Sequence, residues 1–339
     1  MAHPDGHGTF APGYDVMLLT DRRLIFFGGK GGVGKTTMAS AVGLALAKQG
    51  RRVLIVSTDP AHSLGHLWEQ RIGNAVTYLH KDLLAGLELD PEHAAQRHFA
   101  DVASTVRSMM PEHLHGEVER YFRHAIDSPG AHEAALLERI AELSLDSSDT
   151  WDTIIFDTAP TGHTIRLLEM PQLLTVWAEG MMGRAKKTAQ FHAAMEALPG
   201  GTQFSEPSPV AERNAKIRAI LERRGQLFRT FYAALTSKKT TGFVIVTLAE
   251  RMPVAETLEL KEQLKDAKIP IAGVIVNRRS PSDAGKLLAL RRQNEDDHLS
   301  TLTKSMHKIP VVQVDLQERE PTGFQALEAF SEQLSAYLQ

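Results

Sequence analysis

The hydrophobic positions of this chain follow two alternating rhythms. Short runs of consecutive apolar residues, many of them β-branched, recur at Leu24–Phe27, Val53–Ser57, Leu84–Leu89, Thr153–Phe156, Phe243–Thr247, Gly273–Val276 and Val311–Val314. Runs without polar alternation read as strands of a parallel sheet covered on both faces. Between them apolar residues recur at helical spacing, as from Met38–Ala39 to Leu46–Ala47. Strands alternating with helices predict an α/β fold, a doubly wound and mostly parallel sheet. In such sheets ligands bind beyond the carboxyl ends of the strands. The informative residues fall there: Gly28–Thr37, Asp59, Asp157 and Asn277.

Two stretches depart from this alternation. Residues from about 91 to 148 and from about 164 to 237 are helical in pattern. They predict a helical subdomain, built from two segments, inserted into a domain spanning 21–339. In the second, Met170, Leu173, Leu174, Trp177 and Met181 share one helical face. With Met109, Met110 and Met182 this stripe has two readings: ordinary core, or a flexible apolar groove for a hydrophobic partner. At the C-terminus Phe324, Leu327, Phe330, Leu334 and Leu338 also lie at helical spacing. Their polar face is not basic, which favours a closing helix of the sheet domain over a membrane-targeting one. Residues 1–20 read as a flexible lead-in without a signal peptide's apolar stretch.

Composition narrows the function classes. A net charge of −3 over 339 residues gives no nucleic-acid footprint. The absence of cysteine excludes a disulfide, a thiolate nucleophile and Cys-bound zinc or arsenic, and fits a cytoplasmic location. No apolar run reaches the length of a membrane span.

The chemistry concentrates in three segments. Gly29-Lys30-Gly31-Gly32-Val33-Gly34-Lys35-Thr36, followed by Thr37, fits a phosphate-binding loop between a strand and a helix. Its glycines let backbone N–H groups turn toward phosphate oxygens, and the following helix adds its positive end. Lys35 would hold the β- and γ-phosphates of a nucleoside triphosphate and the Thr36 hydroxyl a Mg²⁺ ion. The same stretch satisfies a dinucleotide fingerprint through Gly29, Gly31 and Gly34, with Asp59 as the ribose acid. Lys-Thr directly after the last glycine favours the triphosphate. Thr153–Phe156 leads into Asp157, a carboxylate placed to hold Mg²⁺ directly or through water. The Pro160, Gly162 and His163 that follow suit a loop that responds to loss of the γ-phosphate, although His163 alone reads equally as a surface histidine. After the second strand, Asp59-Pro60-Ala61-His62 forms a second switch segment. Asp59 there is the candidate for orienting an attacking water, or a helix cap, or both.

Taken together, Gly29–Thr36, Ser57–Leu64 and Asp157–Thr164 resemble the arsenite-pump ATPase (ArsA) and tail-anchored-protein targeting ATPase family. That family sits within a wider group that includes the nitrogenase iron protein, MinD and ParA. The resemblance runs from about residue 22 to the end. It implies a homodimer that closes on ATP, with Lys30 reaching a nucleotide held by the facing subunit, and an adenine contact from Asn277. It implies helical subdomains that join into a groove for a hydrophobic membrane-protein helix. Glu250 and Glu256 fall in a segment resembling the family's loop near the dimer seam. Two departures matter. The positions of the targeting ATPase's zinc-binding C-x-x-C pair are Gly285 and Leu288, so the dimer is not zinc-stapled and is expected to depend on nucleotide. Metalloid activation of a pump-type ATPase subunit, the second reading, lacks its thiolates. A ParA- or MinD-like regulatory switch is the third.

Overall fold

The computed structural model describes residue 19 and residues 21–59, 61–107, 110, 112–127, 130–146, 149–158, 168–170 and 209–335. Eight strands form one sheet: β1 (Leu24–Gly28), β2 (Val53–Ser57), β3 (Thr77–His80), β4 (Leu84–Glu88), β5 (Thr153–Asp157), β6 (Thr241–Leu248), β7 (Ile271–Arg279) and β8 (Val311–Asp315). Their order is β3-β4-β2-β5-β1-β6-β7-β8. Every neighbouring pair is parallel except β3–β4. The seven expected strands are present. The eighth, β3, was not legible: it is four residues long and only Leu79 is buried.

The helices are α1 (Lys35–Lys48), α2 (Ser63–Trp68), α3 (Pro91–Arg107), α4 (His115–Ile126), α5 (Ala131–Asp146), α6 (Pro209–Thr236), α7 (Arg251–Asp266), α8 (Lys286–Met306) and α9 (Gly323–Ser335). Alternate strand residues serve opposite faces of the sheet. Leu24, Phe26, Leu54, Ile154, Phe156 and Ile245 join side chains of α5, α6, α7 and α8 in one core. Ile25, Phe27, Ile55, Ile155, Val244 and Val246 join α1, α2 and α9 in the other. This explains why the strands read as unbroken apolar runs. On the first face Phe26 stacks on Phe156, with centroids 4.7 Å apart. Truncating either ring to alanine would cost about 3–5 kcal/mol.

Helix α9 closes the second face as expected, with Leu327, Phe330 and Leu334 buried. Leu19, inside the expected lead-in, is buried in the same core. The stretches expected to form one inserted helical unit divide in their roles. Leu136, Leu137 and Ile140 of α5 and Phe228, Phe231 and Leu235 of α6 cover the sheet. Helices α3 and α4 bury only Ala95, Ala103 and Val118. Met170 is half-buried against the central core. The backbone carbonyl of Met110, also half-buried, meets His115 Nε2 at 2.9 Å. Met109, Leu173, Trp177, Met181 and Met182 lie outside the described residues.

Candidate functional site

Strand register brings the expected residues to one edge. Phe27 stands opposite Asp157, Asp157 opposite Ser57, and Ser57 opposite Glu88. The carboxyl ends of β1, β5, β2 and β4 therefore form a continuous rim. Hydrogen bonds tie it: Thr58 N donates to Asp157 O at 2.9 Å, and the Thr158 hydroxyl to Phe27 O at 2.7 Å.

The loop from Gly29 to Gly34 leaves β1 and enters α1. Gly29 has φ 148°, and a Cβ there would overlap the Val246 carbonyl oxygen of β6. Gly34 has φ 95°, and its Cβ would stand 2.5 Å from Asn277 Nδ2. Both positions require glycine for close approach as well as for backbone conformation. The first helical hydrogen bond runs from Met38 N to Gly34 O, so the amides of Lys35, Thr36 and Thr37 are the unspent donors of the helix start. That end also carries the positive pole of α1, and no acidic side chain occupies its first turn.

Lys35 is buried, and its Nζ donates to the Lys30 carbonyl at 3.1 Å. Burial lowers its pKa, against the opposing pull of Asp157 and Asp59. Thr36 Oγ1 donates to Asp157 Oδ2 at 2.6 Å and stands 3.2 Å from Ser63 Oγ at the start of α2. Asp157 is fully buried, and that burial pushes its carboxyl up to about 7, with Asp59 and Glu88 adding in the same direction and Thr36 and Lys35 resisting. Its Oδ1 has no hydrogen-bond partner among the described residues. An unsatisfied buried carboxylate oxygen beside a hydroxyl is a donor pair suited to Mg²⁺, a hard cation that takes few protein ligands and accompanies phosphate. No cluster of three or more His, Asp or Glu side chains suited to a metal occurs among the described residues.

The segment after β2 is held from β4. Asp59 Oδ1 accepts from Ala61 N at 3.1 Å, while α2 begins later, at Ser63. Asp59 thus caps a local turn rather than the helix. His62 takes a left-handed conformation, φ 50°, and its Nδ1 lies 2.7 Å from Glu88 Oε2. The other Glu88 oxygen accepts from Gly65 N at 2.9 Å. Glu88, buried at the tip of β4, is the support that the sequence reading missed; its partners lie 23 and 26 residues away, beyond any motif spacing. Pro60, Pro160, Gly162 and His163 lie outside the described residues.

On the other side, Asn277 at the end of β7 is buried. Its Nδ2 donates to Val33 O at 2.8 Å, and its Oδ1 accepts from Arg278 N at 2.8 Å. Arg278 Nη1 reaches Gly32 O at 3.2 Å. One face of the Asn277 amide is therefore spent on fixing the loop. Next to it a cavity of about 240 Å³ is lined by Thr37, Met38, Asn277, Arg278, Leu316 and Pro321, among others. It adjoins the start of α1, with apolar and polar walls fit for a flat heterocycle.

Lys30, expected to point outward, has its own partner: its Nζ forms an ion pair with Glu256 of α7. Glu250 pairs within the chain too, with Arg291 Nη2 at 2.7 Å. Gly285 and Leu288 stand at the start of α8.

A family model described as anion-transporting ATPase matches residues 22–336. An arsenical pump-driving ATPase of Acidiphilium multivorum is 30% identical over 311 residues, covering 89% of this chain and 48% of that protein. The ATPase ARSA1 of Chlamydomonas reinhardtii is 30% identical over 334 residues, 91% of this chain and 42% of that one. The chain thus spans about half the length of these relatives. The ATPase GET3 of Podospora anserina is 31% identical over 324 residues, 92% of this chain and 90% of its own. Among the described residues, no helix is long and apolar enough to cross a membrane.

Proposed function

The chain belongs to the anion-transporting ATPase family of ATP-hydrolysing enzymes, and from that premise we propose that it hydrolyses Mg·ATP in a cycle of dimer closure and opening that captures and releases a hydrophobic membrane-protein helix. The observation that carries the nucleotide chemistry is the Thr36–Asp157 contact with the second Asp157 oxygen unpartnered, beside the buried Lys35.

In this reading the amides of Lys35, Thr36 and Thr37 cradle phosphate oxygens. Lys35 exchanges the Lys30 carbonyl for the β- and γ-phosphates. Asp157 and the Thr36 hydroxyl would hold Mg²⁺, which would neutralise phosphate charge. Asp59 orients the attacking water and accepts its proton. The cavity beside Asn277 takes the adenine. Lys30 acts on the nucleotide of a facing subunit, in the manner of an arginine finger.

The client reading is supported by similarity to the ATPase GET3 along 90% of that protein's length and by the two-segment helical region. The pump-subunit reading is favoured by the relatives named arsenical pump-driving ATPases. A chain without cysteine lacks the soft ligands for arsenite, which separates it from a metalloid-activated pump. The cytoplasm is the compartment in which this cycle operates.

An ATP-held Asp59→Asn variant, expressed in native-like cells and analysed by mass spectrometry of co-purifying proteins, tests the reading. Enrichment of proteins with a single C-terminal membrane span is expected. A polytopic transporter instead would favour the pump subunit. Recovery of no apolar partner would leave the switch reading.

A further inference from the structure

We propose that Glu256 is a latch that holds Lys30 away from phosphate until nucleotide draws it off; this rests on the reading of Lys30 as a charge-neutralising residue for a facing subunit's nucleotide.

Lys30 is engaged at both ends. Its ammonium pairs with Glu256, 226 residues along the chain, and its carbonyl accepts Lys35 Nζ at 3.1 Å. The loop's two ammonium groups are thus both satisfied internally, one of them by Lys30's own backbone. A triphosphate needs both released. The carboxylate stands on a firm support. Glu256 lies in α7, whose Pro253, Val254 and Thr257 are buried around it, and the Thr257 hydroxyl closes on Pro253 O at 2.8 Å. Both members of the pair are about one-third exposed, at 36% and 32%. An incoming phosphate can therefore reach Lys30 and compete with the carboxylate for it.

The two lysines are coupled through one residue. When phosphate draws Lys35 off the Lys30 carbonyl, the bend carrying Lys30 loses an internal tie. Asn277 and Arg278 still hold the loop at Val33 and Gly32, and on Lys30 itself the ion pair with Glu256 persists. The latch sets the ATP concentration at which Lys30 becomes available, not the rate of the chemical step. Glu256 is a positioning residue that acts through Lys30.

Turnover against ATP concentration and ATP-driven dimerisation by sedimentation, measured on Glu256→Gln, Glu256→Asp, Lys30→Ala and the Lys30→Ala/Glu256→Gln pair, provide the test. Glu256→Gln is expected to lower the ATP concentration for half-maximal turnover and dimerisation about two- to fivefold, the scale of a partly exposed ion pair, with kcat little changed. Glu256→Asp restores part of the shift. In the Lys30→Ala background the Gln substitution adds nothing. A Glu256→Gln protein with both midpoints at the wild-type values, or an equal shift without Lys30, overturns the latch. Wild-type turnover and dimerisation in Lys30→Ala would instead sink the reading of Lys30 itself. Impaired Lys30→Ala with silent Glu256→Gln sinks the latch alone.

Discussion

The Thr36 hydroxyl donates to Asp157 across 2.6 Å, joining the first turn of α1 to the tip of β5. The remaining Asp157 oxygen is left without a partner among the described residues.

Replacing Asp157 by Asn separates stability from chemistry. Burial raises the Asp157 pKa from 3.8 to about 7 in the folded chain. A group raised on folding contributes stability that is present below its unfolded pKa and is lost as pH rises through the folded one. Its contribution thus fades between pH ~4 and ~7. Asp157→Asn is expected to melt higher than wild type at pH 8 without Mg²⁺ or nucleotide, by up to a few kcal/mol of stability. The gap should close toward pH 4, and Mg²⁺-dependent hydrolysis should be lost. Calorimetric melts across pH read this, and equal pH slopes for the two proteins would refute it.

Lys35→Ala and Thr36→Ala should each abolish Mg·ATP turnover, because one loses the phosphate cation and the other an oxygen ligand. Thr36→Ser keeps the hydroxyl and should retain activity within about tenfold. A phosphate-release assay at saturating ATP distinguishes them, and full turnover in Thr36→Ala would remove the hydroxyl from the metal site.

Asp59→Asn should bind ATP but hydrolyse it at least ~100-fold more slowly. Equilibrium binding of a fluorescent ATP analogue, set beside single-turnover rates, separates the two effects. Its only described side-chain contact is to Ala61 N, a bond that Asn preserves, so lost turnover would not reflect a lost turn.

Gly34 and Asn277 should show non-additive behaviour. Gly34→Ala strains a backbone at φ 95° by about 1–2 kcal/mol and also drives its Cβ onto Asn277. Asn277→Ala removes a buried hydrogen bond to Val33 O, at about 1–3 kcal/mol. Removing the amide clears space for the new methyl. The double variant should therefore be less destabilised than the sum of the two single ones. Denaturant melts of the four proteins measure it, and strict additivity would mean that the two sites do not meet.

Much of this was readable from the chain because its signals are local. The seven buried strands are consecutive apolar runs, and the phosphate loop carries its chemistry within one short stretch. Local signals fail where a partner is distant. Glu88 falls inside the apolar run Leu84–Leu89 with nothing local to mark a role, yet it is buried and bonded to His62 and to Gly65 of α2. Glu256 sits on an ordinary helix face, and only the fold brings Lys30 to it. Thr77–His80 is short and mostly uncovered, so its hydrophobic pattern is faint. The helix-cap reading of Asp59 failed because its carboxylate closes a turn ahead of Ser63, where α2 starts.

The absence of a side chain at Gly29 leaves the loop lying directly on the Val246 carbonyl, with no clearance behind it. A loop seated this way has nowhere to recoil when phosphate arrives. It acts as a fixed anvil at Gly29, and nucleotide-dependent displacement falls to side chains such as Lys30. Methyl-sized additions behind the anvil would disable the seat without touching Lys30.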